Sequence, residues 1–123
     1  MSMKKIFTLS VIGFLIIVFV SSCTKRTYLD EDQQYWLSQE RGQVVYSSSV
    51  CDFYIVETYN GYEIIHSRDG FRPFEGTILY GNFSNYGTRN FYSPENDVLV
   101  SGEVIDYWLS FNDAQNEISH YCY

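Results

Sequence analysis

The chain has 123 residues, fifteen of them acidic and eight basic, for a formal net charge of −7. That length holds one small domain and no more. All fifteen acids follow Cys23, against six cations (Lys25, Arg26, Arg41, Arg68, Arg72 and Arg89), a net −9 that repels nucleic acid and leaves no basic patch to bind it. Such a surface attracts basic partners or cations, although acidity commonly serves only solubility.

The first residues are basic (Lys4, Lys5), and Ile6 to Val20 is an uncharged, mostly apolar run. As a helix this run is about 22 Å long, short of the ~30 Å hydrocarbon core. It therefore reads as a secretory signal rather than a spanning helix. Val20-Ser21-Ser22-Cys23 closes it with an aliphatic residue, two small residues and a thiol. This resembles the lipobox of bacterial membrane lipoproteins, with Val20 where Leu is more usual. The resemblance covers residues 1–23 alone. It implies that 1–22 is removed and that Cys23 carries a diacylglyceryl group on sulfur and an acyl chain such as palmitate on nitrogen. The lipid bilayer is then one partner, since two or three chains anchor a protein where one holds only marginally. Thr24 in place of Asp implies the outer membrane, and Lys25-Arg26 in place of an acidic run implies its periplasmic face.

Beyond the leader, residues 23–42 are expected to be a lipidated tether with a short helix, and 43–123 a small β domain. The helix is predicted over Asp30 to Arg41, capped by Asp30, with Gln33 in the capping-box position and Gly42 as stop. Its thin apolar face is Leu29, Trp36 and Leu37. From Gln43 the apolar period becomes two, predicting a first strand over Val44 to Ser47. Asp52–Tyr59 and Tyr62–Ser67 flank Asn60-Gly61, which predicts a two-residue type I′ hairpin with Tyr59 opposite Tyr62. Both faces of this hairpin carry apolar groups, which suits a small barrel or a sheet with a part-covered outer face. Further strands are predicted at Thr77–Phe83, Thr88–Tyr92 and Val98–Ser110, separated by turns at 84–87 and 93–97. Val98–Ser110 is long for one straight strand, and Gly102 is its predicted bend or bulge. Asn112 or Asp113 then caps a closing helix with Ala114, Ile118, Tyr121 and Cys122 on one face. The expected fold is mainly β: a strongly bent antiparallel barrel of five to six strands, OB-like or SH3-like, with short helices at both ends.

With Cys23 used by lipid, Cys51 and Cys122 are an even pair in an oxidising compartment, which predicts a disulfide. It would close a loop of roughly seventy residues, worth about 4 kcal/mol in the chain-entropy model. Twelve Tyr, two Trp and nine Phe, six of these Phe beyond Cys23, must build much of the core.

Candidate chemistry is sparse. Glu57 and His66 are predicted as diagonal neighbours on the hairpin, a geometry open to an acid–base pair. No nucleophile or oxyanion group accompanies them, so a register-holding charge pair is the preferred reading, and no catalytic residue, metal site or cofactor is expected. The loop aromatics Phe71, Phe74, Tyr86 and Tyr92 are the candidate binding platform, but with few aliphatic residues for the core the preferred reading is that they plug the barrel ends. The roles that follow are a non-catalytic envelope lipoprotein with a binding or structural role, an inhibitor of a cationic cell-wall hydrolase, a module for glycan such as peptidoglycan, and, least favoured, a small envelope hydrolase using Glu57 and His66. The second rests on a layout similar to membrane-bound lysozyme inhibitors (lipid anchor, small barrel, one disulfide), without their loop motif. The partners so implied are a basic protein or a glycan.

Overall fold

The computed structural model describes residues 31–123. The chain divides into two units, Met1–Gln34 and Tyr35–Tyr123, and the barrel belongs to the second. The leader, Cys23, the 24–29 tether and the Asp30 cap lie outside the described residues. The elements are α1 (Glu31–Leu37), β1 (Glu40–Tyr46), β2 (Phe53–Thr58), β3 (Gly61–Ser67), β4 (Ile78–Gly81), β5 (Gly87–Ser93), β6 (Val98–Leu109) and α2 (Phe111–Cys122). The strands close into a barrel in the order β1-β2-β3-β6-β5-β4, every pairing antiparallel. Two three-stranded meanders thus meet edge to edge, at β1 with β4 and at β3 with β6. This is the mainly-β barrel with short flanking helices that the alternating sequence predicts.

The interior packs three aromatic rings among aliphatic side chains. Tyr54, Phe83 and Phe91 are fully buried there with Val44, Val56, Ile65, Leu79, Val100 and Val104. Phe83 and Phe91 stack at 4.6 Å between ring centroids. Glycines make room for these rings: a Cβ on Gly42 would stand 2.3 Å from Val56 Cγ1, one on Gly81 2.6 Å from Phe91 Cδ1, and one on Gly102 2.6 Å from Ile65 Cγ2. Large and small residues so alternate around a small barrel.

The second apolar face of the hairpin is covered by α2. Ala114 and Ile118 bury against Ile55 and Ile64, with Phe53, Tyr62, Ile105 and Leu109 around them. The predicted disulfide joins Cys51 to Cys122, with Cα atoms 5.4 Å apart, and pins the end of this helix to the β1–β2 loop. Tyr121 lies half exposed and stacks on Phe53. On another wall Trp36 of α1 stacks on Tyr92 of β5, so the short first helix does hold one Trp against the domain.

Local expectations shift in five places. The first helix ends at Leu37, not Arg41, and β1 starts at Glu40 because residues 40–43 pair with β4 to close the barrel. Gly42 is therefore an interior strand position and not a helix stop. In the hairpin Thr58 pairs with Gly61, so Tyr59 and Asn60 form the turn, and neither takes a positive φ. Gly61 is needed instead for close approach: at φ 137° its Cβ position lies 2.8 Å from Leu109 O. This slip of one pair moves every partner by two residues and keeps each residue on its predicted face. Gly102 pairs regularly with Ser67 and Arg89, and the bulges of β6 fall opposite Ile64 and Glu63. Ile105 and Leu109 face α2, while Trp108 sits at φ 59°, half exposed, its Nε1 donating to Ser84 Oγ at 2.8 Å. Finally, Ser110 caps α2, its hydroxyl accepting from Asp113 N at 3.2 Å, because β6 runs on to Leu109.

Candidate ligand-binding cleft

Three connections gather at one end of the barrel: the β1–β2 loop, the long β3–β4 loop and the β5–β6 turn. The β3–β4 loop is held firmly. Asp69 accepts from Phe71 N at 3.0 Å and from Ser101 N at 2.9 Å, while Ser67 Oγ donates to Phe71 O at 2.8 Å. Arg72 donates to Asp52 at 2.7 Å and to Ser49 O at 3.0 Å, tying this loop to the β1–β2 loop. Gly76 N donates to Val44 O at 2.7 Å where the loop rejoins the sheet. Pro73 is fully buried.

This anchoring fixes Phe71 and Phe74 outward as a ridge, with Phe74 82% exposed. On one side lies a cleft of about 530 Å³, walled by the two rings, Pro73, Val98 and Leu99, with Ser93 and Asn96 as polar lining. A second cleft, of about 310 Å³, shares the same two rings and adds Ser47, Ser48 and Ser49. Ser93 is 1% exposed, and its Oγ has no hydrogen-bond partner. The Tyr54 hydroxyl is likewise buried without a partner, and burial followed by the charge of Asp69 raises its pKa.

The predicted platform is thus half assembled. Phe71 and Phe74 share the clefts. Tyr86 stands at the other end of β6, edge-on to Tyr107 at 4.9 Å, about 26 Å along the strand from Leu99 at ~3.3 Å per residue. Tyr92 is buried on the outer wall under Trp36 and donates to Asp97 at 2.8 Å. Its position on β5 alternates outward from Phe91 and Ser93, which denies it to the cleft. Val98, Leu99 and Ser93 were missed as lining. The exposed Val98-Leu99 pair directly after a turn was a readable signal; the orphaned hydroxyl was not.

The Glu57–His66 pair does not form. Glu57 pairs with Tyr62 and His66 with Phe53, which sets them four residues, roughly 13 Å, apart along the hairpin. His66 stacks on Phe53 at 4.2 Å. Among the described residues no three His, Cys, Asp or Glu side chains gather as a metal site.

The opposite end of the barrel is polar. Glu63 points inside, fully buried, its Oε1 accepting from Thr58 Oγ1 at 2.8 Å and its Oε2 without a hydrogen bond. Burial pushes its pKa up to about 8, against the opposing pull of the Thr58 hydroxyl, with Glu40 adding to the rise. Outside, Glu117 is pushed up to about 7 by burial first, then by a hydrogen bond and charge from Asp106. Comparison of the chain with protein-family models, curated proteins and solved structures finds no match.

Proposed function

We propose that this chain is a lipid-anchored, non-catalytic binding protein of the bacterial cell envelope, and that its ligand enters the clefts beside Phe71 and Phe74. The anchor rests on the leader and Cys23 in the sequence. The binding role is carried by one observation: two exposed rings held on a pinned loop over a cleft of about 530 Å³, within the range of small-molecule sites. Mass spectrometry of the N-terminal peptide is expected to find Cys23 acylated; an unmodified Cys23 removes the anchor. Retention of the protein on washed, detergent-extracted envelopes is expected to fall when Phe74 becomes Ala, and unchanged retention removes the cleft.

A second reading, capture of a basic protein, is favoured by a different surface. Tyr86 and Trp108, both exposed, flank Tyr107 beside the Asp106–Glu117 carboxyl pair. Rings beside carboxylates suit a cationic side chain. Binding to a basic muramidase is then expected at low salt, weakened in Trp108→Ala. It is expected to tighten from pH 6 to pH 8, because Glu117 ionises through about 7 and the cation favours its charged form. No binding at low salt ends this reading.

A further inference from the structure

We infer that the two clefts together take an uncharged linear oligosaccharide laid along the Phe71 and Phe74 rings, with Ser93 Oγ as a hydrogen-bonding group at the floor. The inference rests on the reading that these clefts are the binding site, and it adds the chemistry of the occupant.

Charge is considered first. The charged side chains lining the clefts are Asp69, Arg72 and Glu75. Asp69 is spent on two backbone amides, Arg72 on Asp52 and the Ser49 carbonyl, and Glu75 accepts from Ser47 N at 3.3 Å. Among the described residues no cation stands uncommitted there to recognise a phosphate or carboxylate. The remaining polar lining is neutral: hydroxyls of Ser47, Ser48, Ser49, Thr77 and Ser93, and the Asn96 amide. These are groups that exchange hydrogen bonds with hydroxyls and acetamides.

Shape comes next. The clefts share both Phe rings, so a ligand that fills both runs along those rings, which suits a linear molecule with flat apolar faces. A pyranose presents one C–H face to a ring and hydroxyls around its edge. A peptide recognised by strand addition needs a free sheet edge, and the six strands here close on themselves.

The floor supplies the third argument. A buried hydroxyl without a partner carries an uncompensated desolvation penalty. Ser93 lines the larger cleft in that condition. A sugar hydroxyl in the cleft would satisfy it once the side chains covering the Oγ move aside, as its burial requires.

The test titrates the full-length protein in phospholipid nanodiscs, by calorimetry, with three uncharged probes: the N-acetylglucosamine hexamer, cellohexaose and the peptide acetyl-Leu-Phe-Leu-amide. Saturable binding of at least one saccharide is expected, weakened about tenfold by Phe74→Ala and by Phe71→Ala, as for a lost aromatic anchor. Ser93→Ala is expected to weaken it roughly threefold or more while leaving thermal stability unchanged or raised. No saturable binding of either saccharide, or binding indifferent to both Phe substitutions, overturns the inference. Unchanged saccharide affinity in Ser93→Ala overturns the floor contact, water then being its partner. Peptide binding that depends on Phe74, with neither saccharide bound, overturns the ligand class while the cleft remains a binding site. Envelope retention of Phe74→Ala protein reads the underlying proposal separately.

Discussion

Glu63 is a carboxyl group buried at the polar end of the barrel, its Oε1 bonded to Thr58. Its folded-state pKa of about 8 lies above the ordinary 4.5, so the native chain holds a proton that the unfolded chain releases. Stability is therefore highest below about pH 4.5, as far as this group is concerned. It falls through the window from there to about 8, by about 1.4 kcal/mol per pH unit where the difference is complete. Glu63→Gln keeps the shape and removes the titration. Urea unfolding of the two proteins at pH 5 and pH 8 is expected to show a decline in the wild type that is largely absent in the variant. Equal declines would place the titration elsewhere. The parity of Glu63 with Ile65 was readable from the hairpin, but the sequence offered no reason to send a carboxylate inward. That follows from barrel closure, because the partly apolar outer face of β3 is already taken by α2.

At the scale of elements, the interior glycines decide whether strands can approach. Gly81→Ala is expected to cost about 1–3 kcal/mol, since its methyl would meet the stacked Phe91 ring at 2.6 Å. Gly76→Ala, on the surface with open space around its Cβ position but φ 92°, is expected to cost only backbone strain. Comparing the two by denaturant midpoint separates crowding from conformation; equal losses would deny that the rings set the barrel's width. A glycine within a strand pattern marks either a bulge or a close backbone approach. At Gly102 the sequence suggested the first, and the packed barrel makes it the second. The hairpin shows the same limit: Asn-Gly named the turn region, while Leu109 O, arriving from β6, decided where Gly61 sits within it.

For the molecule as a whole, the Cys51–Cys122 bridge spans a sequence separation of 71 and fastens the last helix to the first loop. Replacing both cysteines by Ala is expected to remove about 4 kcal/mol, a large share of the ~5–15 kcal/mol typical of a domain. Urea midpoints of the double variant and the oxidised wild type test this. A shift under about 1 kcal/mol would mean that α2 packing alone holds the end of the chain.

The sequence by itself determined the class of the fold and its joints. Alternating apolar residues determined a barrel of five to six strands and which residues share a face, because a strand's two faces follow from its own pleat, while closure decided which face turns inward. With Cys23 assigned to lipid the sequence predicts that the other two cysteines pair, and the structure joins Cys51 to Cys122. Which aromatics stand together was decided only by closure. Phe71, Phe74, Tyr86 and Tyr92 are alike in composition and loop-side position. Their separation depends on which end of β6 each loop reaches and on which wall Trp36 covers. Those are contacts between residues distant in the chain, and no local pattern encodes them.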